Sequence, residues 1–414
     1  MDIICFANDW DGDPLSKKHI MRRLARRGAR VLWVNSLGNR APKMGDKKDR
    51  LRAVRKLERF ARSAWNGPRK VDENIWVVDP IALPMYGNAA AARVNGISVG
   101  AHVRNAAWRL GLRDPVHYSF VPASAWVAGK LGERVLVYHA ADEYAAFGGA
   151  DAQAITALEA QLLRRADLYI ACSAPLLETK KGRARRSILV RHGVEHDVFA
   201  RALDPATAIP QPLLAMSQPV VGFIGLIAEW VDLELLGKVA DRLADEGAGS
   251  VVLVGEVRGA DAAALARLAA RTNVLLAGRR PYAELAGWCR GFAVGTLPFA
   301  LNELTRNANP LKLREYLAAG LPVVSTGIPE SHALAALCPD GLTVADGDAF
   351  VAAACQAARS PGAGPAASRS QAVAAEGWDQ KVDEIIQAIE AAFDTSPGRN
   401  RRKETQPWTP LTAP

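Results

Sequence analysis

Lys312 and Glu315 stand three residues apart in the stretch NANPLKLREYLAAGLPVVS, positions 307 to 325. Asn309 and Pro310 read as a helix start, because an Asn side chain can cap orphan N–H groups and proline loses nothing at the first helical position. Gly320 reads as the stop, which predicts a helix over 310–319 running straight into the strand LPVVS. Leu313 and Leu317, four apart, point at a sheet, while Lys312 and Glu315 share another face. That pair has two readings. One is a surface ion pair of small value. The other uses the positive end of the helix, where backbone N–H groups and Lys312 hold a phosphate and Glu315, one turn deeper, accepts two hydrogen bonds from a vicinal diol. A nucleotide-sugar diphosphate presents both groups.

Other polar residues follow apolar runs. His139 and Asp142 come just beyond RVLVY, where side chains project from the carboxyl edge of a sheet. His139 reads either as a buried partner of a backbone carbonyl or as a group that positions a hydroxyl, and Asp142 either as a turn cap or as its companion. The loop ANDWDGDP follows the first apolar run, and Gly12 there permits close backbone approach. Its aspartates, Asp13 among them, suit hydroxyls or a cation. No spacing in the chain specifies a metal site, and no cofactor is expected. The G-x-G-x-x-G spacing of dinucleotide binding is absent, which argues against a nicotinamide oxidoreductase.

These residues need elements to hold them. A chain of 414 residues with 49% hydrophobic and 23% charged residues is long enough for two well-packed domains and too apolar to be disordered throughout. Continuous apolar runs, the mark of parallel strands covered on both faces, alternate with helical patterns. In the first half they are DIICFA, ARVLWVN, NIWVVDP, PVHYSF, RVLVYHA, DLYIACS and SILVRHG. In the second they are VVGFIG, SVVLVGE, NVLLAG, FAVGTLPF, LPVVST and LTVAD. The expected fold class is α/β, with two Rossmann-like doubly wound parallel-sheet domains facing across a cleft. The expected division is a first domain over 1–200, a proline-rich linker over 201–219, a second domain over 220–358 and a flexible connection over 359–375. A C-terminal helix over 376–397 would pack back on the first domain, ahead of a disordered tail over 398–414.

The five cysteines are far apart and follow no thiol-pair or metal spacing, so they are expected to be reduced core residues of a cytoplasmic protein. No window approaches the roughly 18 to 20 apolar residues of a membrane span. The formal charge is +9, and the segment 40–70 alone carries twelve Lys or Arg against three acids. Within it, Arg52, Arg55, Lys56, Arg59 and Arg62 surround a helically spaced apolar set that ends at Trp65. This reads either as a helix packed on the first domain with a solvated basic face, or as an interfacial helix that meets an anionic surface on the inner membrane face. No base-reading device accompanies it, so nucleic acid is not an expected partner.

NANPLKLREYLAAGLPVVS resembles the donor-site signature of GT-B fold glycosyltransferases, in particular the retaining group 4 family (group 1-type) and its bacterial polysaccharide members. GVEHDVF, GFIGLIAEWVDLELL, GRRPYAELAGW with FAVGTLPF, VLVYHAADEYAAF and LARRGARVLWVN extend the resemblance, in order, over about 1–395. It implies transfer of a sugar from a nucleoside diphosphate to a glycan or lipid-linked acceptor with retention, the first domain taking the acceptor and the second the donor. Glu315 falls on the glutamate that binds the ribose hydroxyls, and the amides of Leu311 and Lys312 fall where the diphosphate is cradled. Asn307 stands where the family has a second glutamate. The loop with Gly12 and Asp13 matches the one that meets diphosphate and acceptor, and His139 and Asp142 are implied site residues, with no strong enzymic base required. Where the family has an Arg and Lys pair the chain reads GLIAEWVD, with Glu229, so Lys312 and Arg279 are the expected cations for the leaving phosphate. A nucleotide-sugar epimerase and a non-catalytic nucleotide-sugar binding protein share this description.

Overall fold

The computed structural model describes residues 1–11, 14–37, 58–60, 62–63, 65–83, 85–149 and 151–395. The tail 398–414 lies outside them. The described chain forms two units: Met1–Cys172, Leu176–Arg191 and the last helix from Val382 make the first, and Ser173–Pro175 with His192–Lys381 make the second.

Eight strands make the sheet of the first unit: β1 (Asp2–Phe6), β2 (Arg30–Val34), β3 (Arg69–Asp72), β4 (Ile75–Val78), β5 (Val116–Ser119), β6 (Val135–Ala140), β7 (Leu168–Ala171) and β8 (Arg186–Leu189). Their order is β3-β4-β2-β1-β5-β6-β7-β8, and every pairing is parallel except β3 with β4. Five of the seven parallel strands have their apolar residues fully enclosed, because helices cover both faces. Helix Ser16–Arg26 joins β1 to β2, and helix Ala89–Arg109, capped by the Asn88 side chain on Ala91 N, leads to β5. The strand order reverses between β1 and β5, and ligands of open α/β sheets bind at such a switch point.

The second unit repeats this plan with β9 (Val220–Ile224), β10 (Ser250–Val254), β11 (Val274–Gly278), β12 (Val294–Leu297), β13 (Val323–Ser325) and β14 (Leu342–Val344), all parallel, in the order β11-β10-β9-β12-β13-β14. Alternate residues feed the two covered faces. Val220, Ile224, Val252 and Val254 join one apolar cluster, and Val221, Phe223, Val251 and Leu253 join the other. Here the reversal falls between β9 and β12.

The expected linker over 201–219 is part of the second unit. Leu213 and Ala202 are buried in the same cluster as Trp288 and Phe292. A side chain on Gly291 would meet Leu213 and Ile209, so this glycine leaves the room they fill. The prolines erase periodicity there without removing apolar content. The expected flexible connection over 359–375 is likewise folded. Arg369 donates to the carbonyls of Gly320, Gly362 and Gly364, Ser370 Oγ donates to Ala318 O at 2.7 Å, and Val373 is fully buried. The bonds to Ala318 O and Gly320 O satisfy carbonyls left open at the end of helix Leu311–Ala318. The last helix spans Trp378–Thr395. From Val382 onward it belongs to the first unit, where Asp383 pairs with Arg27 and the Arg134 guanidinium lies 4.4 Å from the Phe393 ring centroid.

Candidate functional site

In the second unit, β9 and β12 pair only at Val221–Val294 and Gly222–Gly295 and then part. Tyr316 fills the gap. A side chain on Gly295 would meet its ring at 2.7 Å, and its phenol oxygen accepts from Ile224 N at 2.6 Å. This seats helix Leu311–Ala318 directly over the switch point. The strand ends beside it are stripped of side chains. Gly225 follows β9, Gly255 follows β10 and Gly278 ends β11. A Cβ on Gly255 would sit 1.7 Å from Gly225 O, so the two loops touch backbone to backbone. The Lys312 methylene next to its ammonium lies against Gly225.

Lys312 Nζ donates to Glu315 Oε2 at 2.6 Å, with side-chain exposures of 23% and 6%. The surface reading does not describe this pair. Glu315 is buried, not open to solvent, and Lys312 is the member that reaches outward. The carboxylate also lies near the Cys289 thiol, which burial and Glu315 together push up while Lys312 opposes them. The head of the helix carries no side-chain cap. Asn309, expected to cap it, is turned elsewhere: its Oδ1 accepts from Arg314 Nη1 at 3.0 Å, and its Nδ2 donates to Glu330 at 3.3 Å. The reason lies five residues on. Arg314 is 1% exposed, and a buried guanidinium must be paired, so it takes both Asn309 and Glu376, the latter at 3.2 Å. Burial would raise the Glu376 carboxyl, but Arg314 and Lys381 outweigh it and hold it below the ordinary value. His192 Nδ1 lies 2.9 Å from Asn309 O, which fixes the same turn from another side. The result is an uncapped helix head, rigidly held, with an ammonium at its mouth.

Leu311 opens this helix and is half-buried. Asn307 is buried; its Nδ2 donates to Glu303 O at 2.8 Å and its carbonyl accepts from Ser173 Oγ at 2.7 Å. Arg279 and Glu229 are exposed, on the loops after β11 and β9. Arg280 lies over the Trp288 ring at 5.5 Å, and Arg306 is exposed.

The first unit has its own polar cluster at the β1/β5 reversal. Lys17, in the first turn of helix Ser16–Arg26, is 4% exposed. Its ammonium donates to Tyr144 Oη at 2.8 Å and to Asn8 Oδ1 at 3.2 Å, and it faces the rings of Phe120 and Tyr144. Burial works against that charge, yet Tyr144 and Asp142 outweigh it and hold the pKa above the ordinary lysine value. Asp142 is itself raised by burial, with Lys17 opposing. Lys17 and Tyr144 carry no motif, and a lysine at a helix start reads as solvated, so the sequence reading passed over them. His139 departs from expectation. It lies within β6, 1% exposed, with Nδ1 2.7 Å from Tyr118 Oη and its ring 5.1 Å from that of Phe120. The covering of both sheet faces encloses it.

Gly12, Asp13, Arg52, Arg55 and Lys56 lie outside the described residues. Arg59 does not face outward as expected: Asp9 at 3.0 Å and Asp79 at 3.8 Å draw it in, and they raise its pKa against the effect of burial. Arg62 is exposed. Among the described residues no group of three or more His, Cys, Asp or Glu could hold a metal ion, and no helix is long and apolar enough to cross a membrane.

Residues 218–360 match the family model described as glycosyl transferases group 1. The fold is GT-B. Over 183 residues the chain is 30% identical to a putative teichuronic acid biosynthesis glycosyltransferase, TuaH, of Bacillus subtilis. That match spans 43% of this chain and 44% of the relative. Sucrose-phosphate synthase from Thermosynechococcus elongatus superposes with a TM-score of 0.65 at 16% identity, over 95% of this chain and 100% of that one. Anabaena HepE, solved in complex with UDP-glucose, gives 0.61 at 15% identity over 94% and 100%. At these identities the likeness is one of fold.

Proposed function

We propose that the chain transfers a sugar from a nucleoside diphosphate to an acceptor hydroxyl, with retention at the anomeric carbon. The observation that carries this reading is the uncapped head of helix Leu311–Ala318, with Lys312 at its mouth and Glu315 one turn deeper, beside glycine-ended strands. A diphosphate at that head meets free-pointing N–H groups, the positive helix end and an ammonium. It then competes with Glu315 for Lys312. The freed carboxylate accepts from the ribose diol, a job for which its sign is right and a lysine's is wrong. As the C1–O bond to phosphate breaks, charge grows on the leaving oxygen and Lys312 is placed to meet it. The acceptor oxygen bonds to C1 on the same face, and its proton passes to the departing phosphate. Asn307, Leu311, Arg279 and Glu229 border this donor site. Asp142, with Lys17 and Tyr144, is assigned to the acceptor, and His139 supports it from within β6.

The names of the relatives support the same reading, since HepE was solved with UDP-glucose and TuaH is named for polysaccharide biosynthesis. A thermal-shift screen of UDP, GDP and ADP sugars tests it, followed by incubation of the stabilising donor with glycan and lipid-linked acceptors. The expected result is a product whose new bond has the donor's anomeric configuration. Conversion of the donor sugar without an acceptor would mark an epimerase, binding without turnover would mark a non-catalytic protein, and no stabilisation by any of them would remove the reading.

A further inference from the structure

We propose that the outer face of helix Ala89–Arg109 docks this chain on an anionic lipid bilayer. The inference rests on that face and the residues beside it and does not depend on the transferase reading. The helix, AAAARVNGISVGAHVRNAAWR, contains no acidic residue. Its inner face packs on the first sheet through Val99, Val103, Ala106 and Ala107. Folding is therefore accounted for without the opposite face, yet that face is apolar. Val94, Ile97 and Trp108 are 50%, 66% and 78% exposed. With exposed Ala101 they stand three, four and then seven residues apart, so they form one stripe along the helix. Single exposed apolar residues need no explanation, but an aligned stripe does. Exposed Arg93 and Arg104 flank it on one side and Arg109 on the other. Long arginine stems can lie beside apolar atoms while their heads reach phosphate oxygens.

The stripe continues at both ends. Asn95 accepts from Leu83 N at 2.7 Å and donates to Leu83 O at 2.9 Å, which ties Leu83 and Met85, 46% and 52% exposed, alongside the helix. Near the other end Ser63 Oγ lies 3.1 Å from His102 Nε2, and the Gly67 backbone runs against Arg109. These contacts set the segment that carries exposed Arg62 and Trp65, the latter 87% exposed, along the His102 and Arg109 edge of the helix. Two tryptophans, aliphatic side chains and a one-sign charge set on one surface are the makings of a helix lying in the headgroup layer, with the indoles at the water boundary. The charge chooses the occupant. Arg62, Arg93, Arg104 and Arg109 supply that charge and the helix carries no acid, so the complementary surface is a continuous anionic one.

Co-sedimentation of the full chain with vesicles tests this, using phosphatidylcholine alone and phosphatidylcholine mixed with phosphatidylglycerol. Binding is expected to the mixed vesicles only and to fall as salt rises. Ile97→Glu and Trp108→Glu should each lower the partition coefficient roughly tenfold or more, since each withdraws an apolar side chain from the interface. Leu337→Glu, at an exposed apolar position of the second unit, should leave it unchanged. If the Glu variants melt early by circular dichroism, Arg93→Gln with Arg104→Gln carries the test, and must weaken binding to the mixed vesicles. A wild-type chain left in the supernatant, or equal binding by the variants, would overturn the proposal. So would a wild-type dimer that Ile97→Glu converts to monomer, because the stripe would then be covered by a second copy.

Discussion

Replacing Glu315 by Gln should weaken a nucleoside diphosphate without weakening pyrophosphate. In the free protein the carboxylate, 6% exposed, holds Lys312 at 2.6 Å. Gln removes the charge and keeps the shape. Lys312 is 23% exposed and can turn to water, so the fold should lose only ~1 kcal/mol, within the range of partly exposed pairs. The ligand loses more. A hydrogen bond to a charged acceptor is worth ~1.5–3 kcal/mol, so loss of one such bond to the diol predicts a dissociation constant about 10 to 150 times larger. Pyrophosphate has no diol, and in the variant it no longer competes with Glu315 for Lys312, so its affinity should hold or improve. Titration calorimetry of the wild type and the Gln variant with UDP or GDP, with the matching 2′,3′-dideoxynucleotide and with pyrophosphate forms a cycle that isolates the contact. The variant's defect should vanish with the dideoxynucleotide. Equal weakening of all three ligands, or of none, would refute the assignment of this carboxylate to the ribose.

The glycine floor and the acid limb give two further expectations. Gly255→Ala puts a Cβ 1.7 Å from Gly225 O, so the loops after β9 and β10 must separate; a loss of ~1–3 kcal/mol in urea melts, with weaker nucleotide binding, is expected, and unchanged values for both would contradict the close packing. In the first unit, burial would raise the Glu133 carboxyl, but the His117 imidazole 3.6 Å away and the backbone amides of Glu133 and Gly129 outweigh it and bring it from 4.5 to about 2. Because the folded value is the lower one, this carboxylate contributes its full stability above pH 4.5 and loses it as pH falls toward about 2. Glu133→Gln should therefore flatten the decline in stability over that window; an unaltered slope would contradict the attribution.

Most of the framework was legible because continuous apolar runs between turn residues have few other interpretations. Thirteen of the fourteen strands fall on the runs read from the chain. The exception, β3, is RKVD, a short polar edge strand paired antiparallel with a register shift, and no apolar pattern announces it. The helix over the switch point was legible for the same reason, with its Lys312 and Glu315. Its surroundings were not. Local rules make Asn309 a cap, whereas Arg314, Glu376 and Glu330 recruit it through contacts up to 62 residues apart. Lys17 is hidden for a related reason: only the folded meeting of the β1 loop, Phe120 and Tyr144 makes a first-turn lysine a buried charge. Arg59 likewise looked like one basic residue among many until Asp9 and Asp79 were brought to it.

The central claim concerns what the head of helix Leu311–Ala318 holds, and a crystal structure with the stabilising nucleotide sugar measures it most directly. The account predicts the diphosphate on the amides of Leu311 and Lys312, the ribose diol on Glu315, and the Lys312–Glu315 bond opened from its 2.6 Å. A bound nucleotide elsewhere, with that bond still closed, would contradict it.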